Sequence, residues 1–169
     1  TLHGEDLSQE SGWRKLRAQY FGNVKIIDDA VGRMLDVLEE TGQLDNTIIA
    51  FTTDHGEMAG DHSMLEKRAF YEESARILML LRVPWMNKSQ TKIGGVFGHV
   101  DLVPTLLELA GSEAPEELQG ESRVGVLKGE DDLFENAVFM EWNGIGDRGL
   151  GNPLINLMAT LPWRSVVTG

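Results

Sequence analysis

Thr47-Ile48-Ile49-Ala50-Phe51-Thr52 is β-branched and almost continuously apolar, and Thr53-Asp54-His55-Gly56-Glu57 follows without a break. The first six residues read as a central strand buried on both faces, as in a parallel sheet. The next five form a polar cluster at that strand's carboxyl end, the place where open α/β sheets bind ligands. Upstream, Leu16, Tyr20, Val24, Ile27, Val31, Met34, Leu35 and Leu38 recur at steps of three and four. That period predicts one amphipathic helix of about 28 residues starting at Trp13. Gly32 is a weak point in its interior, Gly42 suits a left-handed cap at its end, and Asp45-Asn46 make the turn into the strand.

Downstream, residues 56–67 read as a loop and Phe70 to Arg76 as a short helical turn. Ile77-Leu78-Met79-Leu80-Leu81-Arg82-Val83, closed by Pro84, reads as a second buried strand. Asp101 is placed to cap a helix containing Leu102, Val103, Leu106, Leu107 and Leu109, with Pro104 tolerated in the first turn. The stretch from Gly111 to Asn136 holds eight acidic and two basic residues and reads as surface. Ala137-Val138-Phe139-Met140-Glu141-Trp142 is a third strand, and Arg164-Ser165-Val166-Val167-Thr168 begins a fourth after a Gly-rich loop. This order predicts an α/β fold with a mostly parallel sheet flanked by helices. There is no internal repeat or low-complexity tract.

The chain of 169 residues fits one domain or a piece of a larger one. With 41% apolar and 25% charged residues it is neither disordered nor fibrous. No apolar run reaches the roughly 18 residues of a membrane span. Thr1-Leu2-His3-Gly4-Glu5-Asp6 is too polar for a signal peptide, and an end without Met is expected to be processed or excised. No cysteine means no disulfide, no thiolate metal site and no cysteine nucleophile within these residues. A net charge of -12 argues against sequence-independent nucleic-acid binding, which relies on Lys and Arg, although it leaves room for a local anion site.

Asp54 and His55 offer a carboxylate oxygen and an imidazole nitrogen to one divalent cation. Oxygen ligands suit calcium and magnesium, and imidazole moves the choice toward zinc or manganese. The same two residues also fit a plain turn in which Asp54 caps the backbone and His55 faces solvent. Lys67, at the far end of the loop, suits a sulfate or phosphate oxygen or is a solvated surface lysine. His62 could line the loop as a proton donor, and His99, just before a helix, could point into a cleft; a structural role fits both as well. Asp28 and Asp29 diverge by about 100° on a helix and share no site. Asp131-Asp132 read as surface, and Ser122-Arg123 lacks a base or a glycine elbow. Asn87-Lys88-Ser89 fits a glycosylation acceptor, a triplet common by chance.

The block Phe51-Thr52-Thr53-Asp54-His55-Gly56-Glu57-Met58-Ala59-Gly60-Asp61-His62, followed by Lys67, resembles the second conserved block of the sulfatase family of the alkaline-phosphatase superfamily. The flanking segments agree in order: Tyr20-Phe21 through Ile27-Asp28-Asp29 to Gly32-Arg33-Met34-Leu35, then Arg82-Val83-Pro84, then His99 through Gly111, then Gln119-Gly120-Glu121-Ser122. The likeness runs from about Trp13 to Thr168.

The resemblance implies an alkaline-phosphatase-like α/β fold. It makes Asp54 and His55 two ligands of a divalent cation, usually calcium, with magnesium, manganese or zinc as alternatives. It makes Lys67 a ligand of the sulfate oxygens, and His62 and His99 residues that could line the site. The family's nucleophile is a formylglycine formed from a Cys/Ser-x-Pro-x-Arg motif, and an N-terminal Asp pair completes its metal site; neither occurs in this sequence. The chain is therefore expected to be an incomplete, C-terminal portion of a sulfatase, inactive and weakly metal-binding in isolation. Residues 1–12 are expected to be irregular, 13–145 to belong to the main α/β domain and 146–169 to start the smaller C-terminal subdomain. The substrate implied is a sulfated small molecule or glycan. A phosphodiesterase or phosphonate hydrolase of the same superfamily remains open, as does a non-catalytic homologue. An exposed sheet edge is expected to promote association.

Overall fold

The computed structural model describes residues 5–67, 69–86, 89–144 and 161–169. The fold divides into two compact units, Thr1–Trp85 and Met86–Gly169. Asn87 and Lys88 of the glycosylation triplet, and the Gly-rich loop from residue 145 on, lie outside the described residues.

The first unit opens with α1 (Glu10–Glu40), three residues earlier than the apolar period announces. Its end follows the cap chemistry of its sequence. Gly42 takes φ +68°, the Gln43 N–H reaches the Leu38 carbonyl at 2.8 Å and the Gly42 N–H reaches Glu39 at 3.0 Å. This is the paired closure that a left-handed residue permits after a helix. The apolar stripe is present but only partly covered: Tyr20, Val24, Ile27 and Met34 are exposed, as is Phe21 beside them. Asp29 pairs with Lys25 one turn back, so the Asp28-Asp29 doublet is a solvated face. No described helix is long and apolar enough to cross a membrane.

A short turn at Leu44–Asn46 leads into β1 (Ile49–Thr52). After the loop and the single-turn α2 (Glu72–Ala75) the chain returns as β2 (Met79–Arg82). The two strands pair antiparallel, with Ile49 opposite Arg82 and Thr52 opposite Met79. The mostly parallel sheet expected from the sequence is therefore not seen in this ladder. Parallel pairing needs a long crossover, usually a helix laid over the sheet, and α2 is only one turn long. The expectation of a strand buried on both faces also fails here. Ala50 is exposed and Leu80 is 62% exposed in this two-stranded ladder. Arg82 ties the ladder to the turn before β1 by donating to the Leu44 carbonyl and to Asp45 Oδ1.

The second unit contains the turn His99–Asp101, α3 (Leu102–Leu109), α4 (Val124–Lys128), β3 (Ala137–Trp142) and β4 (Trp163–Thr168). β3 and β4 are again antiparallel, Ala137 opposite Thr168 and Trp142 opposite Trp163. Asp101 does not cap α3 with its side chain. It is buried, and its carboxylate accepts the Glu121 N–H at 2.9 Å and the Arg123 Nε–H at 2.8 Å. Thr105, also buried, donates to the Asp101 carbonyl and accepts the Arg123 N–H. The acidic stretch is not all surface: Val124, Val126 and Leu133 are buried within it while its carboxylates stay outside. Apolar burial and charge solvation are satisfied together by alternating the two.

Candidate metal and anion site

β1 delivers the polar cluster at its carboxyl end. Thr52 Oγ1 donates to the Leu78 carbonyl at 2.8 Å, closing the ladder, and Thr53 Oγ1 donates to the His55 carbonyl at 3.1 Å. The His55 N–H donates to Asp54 Oδ1 at 3.0 Å. These local bonds hold Asp54 and His55 on adjacent positions with their polar atoms together. His55 Nε2 lies 3.4 Å from Asp54 Oδ2.

The tautomer of His55 follows from its neighbour. Nδ1 is 2.7 Å from the Gly56 carbonyl oxygen, which can only accept, so Nδ1 carries the hydrogen. In the neutral ring Nε2 then keeps its lone pair. A lone pair and a carboxylate oxygen facing one another are a repulsive pair that a shared cation relieves. Two ligands bound cis at ordinary metal distances stand about 3 Å apart, close to the observed separation. Partial burial raises the Asp54 pKa. Attraction to His55 whenever that ring carries a proton, and the hydrogen bonds from the Asp54 and His55 N–H groups and the Thr53 hydroxyl, outweigh it, and the carboxyl sits below its ordinary value. Asp54 is thus ionised at neutral pH, with its side chain 83% exposed. No cluster of three or more potential ligands occurs among the described residues.

The following loop folds as a narrow hairpin. The Met58 N–H bonds to the Glu66 carbonyl at 2.9 Å and the Gly60 N–H to the Met64 carbonyl at 2.9 Å. Glu57 Oε1 accepts two backbone hydrogens, from Ala59 at 3.2 Å and Glu66 at 2.7 Å. Met58 is fully buried. Ala59, His62, Ser63 and Glu66 all take left-handed φ, between 47° and 66°, and no other described non-glycine residue has positive φ. From α1, Arg17 Nε donates to the Ala59 carbonyl at 2.8 Å and the Trp13 ring lies against Gly60. Lys67 follows Glu66 at the hairpin's base and is exposed.

The structure therefore brings Asp54 and His55 together and sets Lys67 at the end of the hairpin that leaves them. His62 sits at the hairpin tip, where its ring stacks on Tyr71 at 3.8 Å with planes 9° apart, and Nε2 is 3.8 Å from Glu73 Oε2. His99 opens the turn His99–Asp101 in the second unit and is exposed. Sequence reasoning missed Glu57, Tyr71 and Glu73. Glu57 stands in the polar cluster, but its two acceptor bonds depend on left-handed backbone at Ala59 and Glu66, which no residue type announces.

The sulfatase family model matches residues 3–112. The chain belongs to the sulfatase family. An N-acetylglucosamine-6-O-sulfatase of Bacteroides thetaiotaomicron is 37% identical over 118 residues, which is 70% of this chain and 21% of that protein. The solved structure of BT4656, in complex with its substrate D-glucosamine-2-N,6-O-disulfate, superposes with a TM-score of 0.72 at 34% identity. The match covers 78% of this chain and 27% of that one. The phosphonate monoester hydrolase of Agrobacterium radiobacter superposes with a TM-score of 0.71 at 30% identity, covering 85% of this chain and 29% of the other. The chain thus spans about a fifth to three tenths of the length of these sulfatase-like relatives. Likeness to these solved structures gives it the α/β, alkaline-phosphatase-like fold of the family.

Proposed function

We propose that this chain is the part of a metal-dependent sulfuric-ester hydrolase that contributes two metal ligands, Asp54 and His55, and a sulfate-binding lysine, Lys67. The observation that carries the reading is the Asp54–His55 pair at the end of β1, with Nδ1 of His55 bonded to Gly56 and Nε2 left open 3.4 Å from the carboxylate. The donor set of one oxygen and one imidazole nitrogen fits a divalent cation, calcium by family precedent and magnesium, manganese or zinc by ligand chemistry. A cation held there supplies Lewis acidity toward an ester oxygen. The Gly56 carbonyl orients His55, as outer hydrogen bonds to metal-bound histidines do. Lys67 places a compact positive charge where sulfate oxygens gain charge during cleavage. His62 and His99 are kept as residues that could line the pocket.

In this reading the nucleophile, a formylglycine, and the remaining metal ligands lie upstream of Thr1 in the full-length protein. Residues 13–145 belong to the main α/β domain, whose further strands run mostly parallel, and 146–169 begin a smaller C-terminal subdomain. The substrate is a sulfated small molecule or glycan, in keeping with the sulfated glucosamine bound by BT4656. The two-stranded ladders leave open edges, so residues 1–169 alone should associate; a light-scattering mass above one chain is the expected result.

A second reading, a phosphonate monoester hydrolase, draws on the similarity to the Agrobacterium enzyme. Sulfate and phosphonate groups are both tetrahedral anions and suit the same metal and lysine. The test is to read the coding sequence upstream of Thr1 and assay the full-length protein on an aryl sulfate, a glucosamine 6-sulfate and a phosphonate monoester. A Cys/Ser-x-Pro-x-Arg motif with preferred sulfate turnover, lost on chelation and restored by calcium, is expected. Preferred phosphonate turnover would replace the first reading with the second. An upstream sequence without a nucleophile, and no turnover, would leave a binding domain.

A further inference from the structure

Contacts fasten the chain before and after Lys67 at three points. At one point the Gly56 N–H donates to the Ser74 carbonyl at 2.8 Å, fastening α2 to the residue after His55. At a second point the hairpin base is fixed by Met58 to Glu66 and by Glu66 to Glu57. At the third, His62 on the tip stacks on Tyr71, four residues beyond Lys67 and directly before α2. Lys67 therefore sits between two anchored points, Glu66 on one side and Tyr71 on the other.

The hairpin's own hydrogen bonds close its two arms on each other, but none of them ties its tip to the residues beyond Lys67. Four of its residues, Ala59, His62, Ser63 and Glu66, adopt left-handed backbone that side chains disfavour. Such strain persists only where surrounding contacts over-determine it, and it gathers at ligand-binding segments. α1 supplies one restraint through Arg17 and Trp13, but at Ala59 and Gly60, on the arm opposite Lys67. The stack, together with His62 Nε2 lying 3.8 Å from Glu73 Oε2, joins the tip to the residues beyond Lys67. The near-parallel rings at 3.8 Å fix both position and tilt.

We propose that His62 is a positioning residue, its stack on Tyr71 holding the hairpin so that Lys67 meets the sulfate group. The proposal rests on the reading of Lys67 as a sulfate-binding residue. His62 touches neither substrate nor metal in this account. In this account Asp54 and His55 keep their own bonds, to Gly56 and to each other, and none of these runs through the stacked rings.

The experiment is a double-mutant cycle in the full-length protein, with kcat, KM and metal affinity measured separately. His62→Ala should lower kcat/KM for a sulfate ester about 10- to 100-fold, the scale of a misplaced binding group. Metal affinity should not change. His62→Phe, which keeps a ring on Tyr71, should recover most of the loss. Tyr71→Phe should be near wild type and Tyr71→Leu should match His62→Ala, so the stack is tested from both sides even if one variant folds poorly. Added to Lys67→Ala, His62→Ala should cost little more. Equal losses with and without Lys67, or failure of His62→Phe to rescue, would overturn the proposal and leave Lys67 intact as a ligand. A Lys67→Ala enzyme with unchanged kinetics would instead overturn the reading of Lys67 itself.

Discussion

His55 donates its Nδ1 hydrogen to the carbonyl oxygen of Gly56 across 2.7 Å, leaving Nε2 as the ring's acceptor 3.4 Å from Asp54 Oδ2. Replacing either side chain should therefore weaken divalent-cation binding by the full-length protein. His55→Gln and Asp54→Asn are each expected to lower metal affinity by at least about 10- to 100-fold, the range found even for residues that only support ligands. Calcium titration by calorimetry measures it. Unchanged affinity in both variants would remove these residues from the metal site.

Gly56 packs directly against α2. A Cβ built on it would stand 2.0 Å from the Glu73 carbonyl oxygen, and backbone has no rotamer with which to yield. Gly56→Ala should destabilise the full-length protein by about 1–3 kcal/mol, the usual cost of forcing extra volume into a packed site. A denaturant midpoint equal to wild type would show that α2 moves freely.

Arg123 neutralises a buried carboxylate. Asp101 is 4% exposed, and removing its cation leaves an unpaired charge inside the second unit. Arg123→Met should cost about 3 kcal/mol, the low end for breaking a buried pair because the Arg123 side chain keeps 19% exposure. Asp101→Leu combined with Arg123→Met should be milder than Arg123→Met alone. Urea unfolding of the three proteins decides this.

Asp6 accepts hydrogen bonds from the hydroxyl and the N–H of Ser8, which hold its carboxyl below the ordinary value. The sign follows from ionisation favoured in the fold. The contribution is present above the ordinary carboxylate pKa of about 3.9 and is lost as pH falls through the depressed value. Ser8→Ala should return the Asp6 titration toward the ordinary value, read by NMR of the side-chain carboxyl.

What the sequence disclosed depended on the kind of signal each residue gave. α1 was legible because its apolar residues repeat over many turns, with Gly42 marking its end, and β3 because its six residues are almost all apolar or aromatic. The direction of pairing between β1 and β2 was not legible. Continuous apolar runs report burial but not which way the neighbour runs, and Ile49 opposite Arg82 has no sequence marker. Asp101 looked like a helix cap because its type and place suit one, yet its side chain is taken by Arg123, 22 residues away. Asp54 and His55 stood out as adjacent polar groups after a strand. The stack of His62 on Tyr71 did not, because it needs left-handed backbone at His62 and Ser63.

α1 touches the chain on both sides of β1: its C-terminal end runs through the Leu44–Asn46 turn into the strand, and its first turns grip Ala59 and Gly60 after it. One rigid rod therefore gauges the stretch between those two points. Each inserted residue would lengthen the rod by about 1.5 Å and swing Trp13 and Arg17 by about 100° away from the loop. The helix would still form, since its own hydrogen bonds do not count residues. Substitutions along its solvent face leave that gauge unchanged, whereas an insertion or deletion between Arg17 and Leu38 resets it.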